Sequence, residues 1–501
     1  MLITWLGVLA IGFFIRWLPM LGSHSNTGVD HWFWHAYTQT VHRDSTFPPV
    51  LPNYIFDKGQ WYPPLFPIVL SRLPARFMEG QSHWVAMSID MGRLAFLLLS
   101  IKLLGYRNLW IYGVAGLIYA TAPMAALYNV QLNPRGLGAM FMDALLMLVV
   151  LRAGIYDGLG FWVSAILLAS LILLTHKMTT QIFVAVLVSL AVTFQAWKLL
   201  LLLPAAVIGA MLLSGGFYFK VLRAHGDIVK FWSREWPLLG ADPLRESPLY
   251  GRPGYQGPVR QYAPGFGNVV KRILSFFGGN YVPAMAGALL LTSLVRFQEP
   301  AMHWITAWFL SALCFALATV LIPALRGFGF GNLYLYNAVF PGAIIMGVSC
   351  VKRPTISFTI VLVSLLYTVI TLVRSYKYQR GSKSLTVPDS VLSEVASCST
   401  GAWMCFPFQL MEHVACLANK RVLWGGHGYG FNELRQVFPV IRTDFRDLIK
   451  RYNLRFILVQ NSYLPDVERI PLSKKVLFQT DGFHIFEFVS EDSSEQPPSR
   501  S

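Results

Sequence analysis

What most limits how this chain can fold is a recurring apolar run long enough to cross a bilayer. Such runs occupy about residues 2–21, 84–104, 109–128, 136–151, 159–175, 180–197, 199–219, 277–295, 301–322, 331–350 and 354–373. A hydrocarbon layer of about 30 Å needs about 18–20 apolar residues, because a helix rises about 1.5 Å per residue. The pattern predicts a polytopic α-helical membrane protein with about eleven transmembrane helices. Composition agrees. Of 501 residues, 54% are hydrophobic and 13% charged, where soluble domains carry about 25% charge. The first run has no basic leader and no Ala-x-Ala site, so it reads as a retained helix rather than a signal peptide.

The formal net charge is +16. In a soluble chain this would suggest nucleic acid. Here no nucleic-acid module is legible, and basic residues flank spans, where they set topology and meet anionic lipid. The expected partner is the lipid bilayer, with no nucleic acid. With the N-terminus in the cytoplasm, Lys102, Arg107, Arg152, Lys198, Arg296, Lys352 and Arg353 fall in inner loops. The short outer loops then hold only Arg135, Lys177 and Arg326. This topology sends residues 22–83, 220–276 and the region from about 374 to the extracytoplasmic side.

The first outer segment carries Trp32, Phe33, Trp34, Tyr37, Tyr54, Phe56, Trp61 and Tyr62, rings that favour the headgroup level. Residues 29–42 are expected as a short helix along the membrane surface. Six prolines between Pro48 and Pro67 break any longer one. The second outer segment, rich in Gly and Pro over 237–267, is expected as a partly ordered loop. The C-terminal region reads as a small α/β extracytoplasmic domain. Arg421–Trp424 and Phe456–Gln460 are strand-like, Asp444–Tyr452 is helix-like, and Lys475–Phe478 with Phe483–Val489 suggests a hairpin. The expected organisation is a transmembrane domain over 1–375, the α/β domain over 376–490 and a disordered tail over 491–501. Three cysteines in the outer region, Cys398, Cys405 and Cys416, specify no disulfide framework.

Ionisable groups inside spans are costly and point to pairing or function. Asp90 and Arg93, three residues apart on one helix face, are expected to neutralise each other. Asp143 is expected to meet Arg135. Asp30 differs, since it stands at the edge of the first span, in Gly28-Val29-Asp30-His31-Trp32-Phe33-Trp34-His35. A carboxylate there can act as a general base on an acceptor hydroxyl or amine, cap the surface helix, or hold a divalent cation. The His31 and His35 spacing also admits zinc. Arg135, His176-Lys177 and Arg326 each stand in a tight outer turn. Snorkelling explains one such cation alone; three beside an aromatic carboxylate loop suit a lipid-linked phosphate.

The motifs Gly28-Val29-Asp30-His31, Trp61-Tyr62-Pro63-Pro64-Leu65, Asn133-Pro134-Arg135, Thr175-His176-Lys177 and Arg326 to Pro341 resemble the GT-C superfamily of integral-membrane glycosyltransferases. The resemblance covers about residues 1–375. It implies a GT-C-like fold, a polyprenyl- or dolichyl-phosphate sugar donor, and a glycan, lipid or protein acceptor. It implies Asp30 as the base, with a divalent cation (Mg or Mn) as an option. It further implies Lys177, Arg135, Arg326 and His176 at the donor phosphate, and His31, His35, Trp61, Tyr62 and Tyr334 at the substrate. The chain lacks the Trp-Trp-Asp-Tyr-Gly type run of oligosaccharyltransferases. The function expected is therefore an inverting membrane glycosyltransferase working on the extracytoplasmic side. The alternative is a transporter or flippase of a lipid-linked or anionic substrate, against which stands the absence of a legible inverted repeat.

Overall fold

The computed structural model describes residues 1–18, 30–56, 58–128, 132–152, 158–238, 265–291, 297–329, 331–352, 354–381, 387–425, 431–439, 441–468, 470 and 472–489. Gly28, Val29, the stretch 239–264 and the expected tail 491–501 lie outside the described residues. In chain order the longer helices are α1 (Leu2–Trp17), α2 (His31–Asp44), α3 (His83–Leu103), α4 (Leu109–Thr121), α5 (Arg135–Leu151), α6 (Leu159–Leu173) and α7 (Lys177–Thr193). They continue with α8 (Leu202–Leu213), α9 (Tyr218–Glu235), α10 (Phe266–Gly278), α11 (Tyr281–Leu291), α12 (Pro300–Leu321), α13 (Tyr336–Lys352) and α14 (Pro354–Gly381).

Every expected apolar run falls on a helix, but few of the helices are long. Among the described residues, α3, α12 and residues Pro354–Arg374 of α14 are long and apolar enough to cross a membrane alone. Others, such as α1, α4, α6 and α7, are shorter apolar helices. At about 1.5 Å per residue these fall short of a 30 Å layer. The run expected at 277–295 is redrawn. It is a bent pair, α10 and α11, meeting at 103°. Gly278 and Gly279 stand at the break, where a glycine pair offers no side-chain support to a continuing helix.

The chain forms two compact units. The larger comprises Met1–His31, Pro63–Ser233 and Gly265–Lys383; the smaller comprises Trp32–Tyr62, Arg234–Pro264 and Ser384–Ser501. In the larger unit α4 is a packing centre, with α1 and α13 both against it. Gly116 of α4 leaves no room for a Cβ beside Val8 and Leu98, and Gly347 of α13 none beside Ala115 and the Ile111 carbonyl. Small residues at these points let the helix backbones approach closely.

The interior of this unit carries a charge network that pairs differently from the sequence expectation. Asp90 does not close on Arg93. Its Oδ2 accepts from Arg16 Nε of α1 at 2.5 Å, and its Oδ1 accepts from the hydroxyls of Tyr119 (2.8 Å) and Tyr336 (3.0 Å). Arg93 instead donates to Asp143 Oδ2 at 2.8 Å, so Asp143 does not depend on Arg135. Arg93 also lies 4.4 Å from the Tyr336 ring centroid. All four charged side chains are buried. The reason is geometric: the expectation paired groups along one helix, whereas each arginine here reaches across to a neighbouring helix that presents a carboxylate.

The smaller unit contains a five-stranded sheet of β1 (Ala402–Phe406), β2 (Arg421–Val422), β3 (Leu454–Gln460), β4 (Lys474–Gln479) and β5 (Phe483–Phe488), in the order β2-β1-β3-β5-β4. β1 runs parallel to β2 and β3, and β5 antiparallel to β3 and β4. The expected hairpin is thus β4–β5. The helix expected at 444–452 is Phe445–Tyr452, with Asp444 Oδ1 accepting from the Arg446 N–H at 2.8 Å as its cap. β1 was not legible, because all five of its residues are buried and no alternation marks it. Among the described residues Cys398, Cys405 and Cys416 form no disulfide with one another.

Residues 32–62 belong to this smaller unit. The Phe56 N–H donates to the Leu423 carbonyl at 3.0 Å, and Asn53 Nδ2 donates to the Ala415 carbonyl at 3.0 Å. Trp34 meets Tyr62 edge-on at 4.9 Å between centroids, and Trp61 meets Phe431 at 6.2 Å. Trp32, Phe33, Trp34, Tyr37, Tyr54, Trp61 and Tyr62 are all buried. These rings build a core, which corrects the expectation of an interfacial belt. Glu235 is buried in the same unit and is held by Arg435 (2.6 Å) and Arg442 (2.5 Å).

Breaking a buried ion pair on one side leaves an uncompensated charge, which costs about 3–5 kcal/mol, whereas replacing both partners by apolar groups is close to neutral. Asp143→Leu is expected to lower the thermal unfolding temperature of the detergent-purified protein sharply. The Arg93→Met/Asp143→Leu double variant is expected to recover most of that loss.

Candidate active site

In the larger unit the N-terminal ends of α5 and α7 stand beside the start of α2, and each has a local reason for its position. At α5, the Asn133 side chain accepts from the Arg135 N–H at 3.0 Å, fixing the Asn-Pro-Arg turn. A Cβ on Gly136 would stand 3.6 Å from the Tyr336 hydroxyl, so Arg135 sits next to the charge network. At α7, His176 is the cap: its Nδ1 accepts from the Thr179 N–H at 3.2 Å. The cap uses that ring nitrogen, so His176 presents only Nε2 to any ligand. The Leu65 N–H donates to the Leu174 carbonyl at 2.8 Å, which ties the Pro63-Pro64-Leu65 motif to the Thr-His-Lys turn. His31 Nδ1 lies 3.2 Å from Ser82 Oγ, and this bond fastens the turn carrying Asp30 to the start of α3.

These placements bring three of the predicted residues into one electrostatic neighbourhood. Desolvation pushes the Lys177 ammonium down to about 8. The Asp30 carboxylate opposes that shift, and the Arg135 guanidinium adds to it. Arg135 also acts on Tyr334. Arg326 is buried in the short helix Pro323–Phe328, which packs against α9 where Gly327 meets Val229 and Ser233. The Tyr334 hydroxyl donates to the Phe328 carbonyl at 2.7 Å and also bonds the Gln181 side chain, one turn after Lys177 on α7.

Two residues join this group that the sequence reading did not single out. Gln181 Nε2 lies 3.0 Å from His225 Nε2 of α9. Desolvation pushes His225 down to about 4, and the Lys177 charge adds to the effect. Gln181 had a legible signal, since it shares a helix face with Lys177 at i,i+4. His225 had none beyond lying on an amphipathic helix.

The remaining predicted residues lie in the smaller unit. His35 Nε2 bonds Gln39 Nε2 at 2.8 Å, and its ring packs edge-on against Trp32. Trp61 and Tyr62 are buried among the aromatic rings described above. Among the described residues no three His, Cys, Asp or Glu side chains are grouped as a metal ion requires.

If Asp30 supports the charged form of Lys177, removing its charge must lower the ammonium further. Asp30→Asn is expected to move the Lys177 titration below about 8. The check is the pH-dependent NMR shift of the reductively 13C-methylated side chain, with Lys177→Arg assigning the signal.

No family model matches the chain, and no curated protein matches it in sequence. Solved structures do match in fold. ArnT from Cupriavidus metallidurans bound to undecaprenyl phosphate is 13% identical, with 98% of each chain covered and a TM-score of 0.59. The oligosaccharyltransferase AglB from Archaeoglobus fulgidus, in complex with an inhibitory peptide and a dolichol-phosphate, is 12% identical. There the match covers 99% of this chain and 75% of that one, with a TM-score of 0.54. The Archaeoglobus fulgidus oligosaccharyltransferase in complex with Zn and sulfate is 11% identical over 91% of this chain and 68% of that one, with a TM-score of 0.53. The chain therefore shares the fold of ArnT and of the Archaeoglobus fulgidus oligosaccharyltransferase.

Proposed function

We propose that the chain is an inverting GT-C glycosyltransferase that moves a sugar from a polyprenyl-phosphate-linked donor to an acceptor on the extracytoplasmic side of a membrane. The reading keeps about eleven crossings, with the N-terminus in the cytoplasm. The observation that carries it is the meeting of Asp30, Lys177 and Arg135 at two helix N-termini, in a chain that shares the fold of a protein solved with undecaprenyl phosphate.

In this reading the acceptor oxygen or nitrogen attacks the anomeric carbon from the face opposite the phosphate. The carbon–oxygen bond to the phosphate breaks, and its electron pair stays on the phosphate oxygen. Asp30 takes the acceptor proton. Lys177, Arg135 and Arg326 hold the charge that develops on the departing phosphate. Cations fixed by capped turns need no reorganisation as that charge appears, which makes them effective where water is scarce. No step is assigned to a metal.

General base catalysis contributes about 10²–10⁴-fold to a rate. Asp30→Asn is therefore expected to lower the turnover of purified protein by about that factor with little change in donor KM. Lys177→Ala and Arg135→Ala are expected to weaken donor binding as well. The assay is release of polyprenyl phosphate from a panel of polyprenyl-phosphate sugars. Full activity in Asp30→Asn would sink the base assignment, and unchanged donor affinity in the cation variants would sink the phosphate assignment.

A further inference from the structure

The site holds a titratable group, His225, that the proposed chemistry does not use. His225 stands on α9 beyond the apolar run 199–219, and on that helix it shares a face with Val229 and Ser233 at i,i+4 and i,i+8. That face receives the Arg326 segment through Gly327. From the other side α7 presents Lys177 and Gln181, the first acting on His225 by charge and the second bonded to it at 3.0 Å. Gln181 is also bonded to Tyr334, which in turn holds the Phe328 carbonyl. One imidazole thus faces a cation from α7 and packs on the same helix face as the segment carrying a second. The nearest charges along its own helix, Arg223 and Asp227, are two residues away on other faces.

We propose that His225 reads the charge of the phosphate in this site, taking a proton from solvent when a phosphate monoester dianion is bound. This rests on the donor-phosphate reading above. The donor is a phosphodiester with one negative charge. When its bond to the sugar breaks, the product is a monoester whose second ionisation lies near pH 6, so at neutral pH it carries close to two charges. A group that gains positive charge as that second negative charge appears binds the departing phosphate better than the intact donor. Such differential binding is what accelerates a chemical step. Two fixed cations alone do not separate the two states in this way. A neutral imidazole kept so by burial and, secondly, by a neighbouring ammonium does, because a dianion beside it supplies the opposite charge that the imidazolium needs. The Gln181 side chain accommodates both states, since it has a donor and an acceptor end and pairs with either form of the ring.

The test is binding of two lipids to the detergent-purified full chain, polyprenyl monophosphate and its methyl ester. Lys177 titrates in the same range but meets an anion in both lipids, and the second ionisation of the monophosphate acts alike on wild type and variants, so the change in the affinity ratio between them isolates His225. In the wild type the preference for the monophosphate is expected to rise by about tenfold as pH falls from about 8.5 to about 6.5, following proton linkage. In His225→Gln and His225→Asn, which keep a side chain able to bond Gln181, that rise is expected to be lost. A rise that survives in both variants, or a wild-type ratio that follows theirs, overturns the proposal while leaving donor binding intact. Failure of the wild type to bind either lipid overturns the donor reading itself.

Discussion

Four buried charges set the geometry on which the larger unit depends. Arg16 with Asp90, and Arg93 with Asp143, link α1 to α3 and α3 to α5, and Tyr119 and Tyr336 bring in α4 and α13. In an apolar interior an unpaired charge is prohibitive, so each pair tolerates few alternative helix registers. The network also reaches the candidate site. Tyr336 follows Tyr334 by two residues, and Gly136, which abuts the Tyr336 hydroxyl, follows Arg135. Two site residues therefore take their positions from helices whose relative register the network fixes.

The site itself uses charge differently. Lys177 there is drawn partly out of water, and its titration is shifted. Lys177 is lowered by desolvation and by Arg135, and partly restored by Asp30. In the proposed reading an anion arriving there meets an ammonium that has already lost much of its water. Much of the desolvation cost is then met on folding rather than on binding, which is the physical basis of preorganised electrostatics.

Much of this was legible in the sequence. The apolar runs located the helices, and the Asn-Pro-Arg and Thr-His-Lys turns located the N-termini of α5 and α7, because caps and prolines act locally. The β4–β5 hairpin and the helix near Asp444 were legible for the same reason. What failed depends on long-range pairing. Arg16 drew no attention as a lone arginine near the end of the first apolar run, yet it is the partner of Asp90. The aromatic rings of 32–62 looked like membrane anchors because composition cannot separate an amphipathic belt from an aromatic core. β1 has no alternation to read. Gln181 and His225 meet only because α7 and α9 pack together, which no local pattern encodes.

The central claim is that Lys177 and Arg135 receive a lipid phosphate next to Asp30. The most direct measurement is an experimental structure of the full chain with polyprenyl phosphate bound. The account predicts phosphate oxygens within about 3 Å of the Lys177 Nζ and the Arg135 guanidinium, the reach of a charge-assisted hydrogen bond, with the Asp30 carboxylate on the side open to an acceptor. A phosphate held by other residues, with Lys177 and Arg135 turned away, would contradict it.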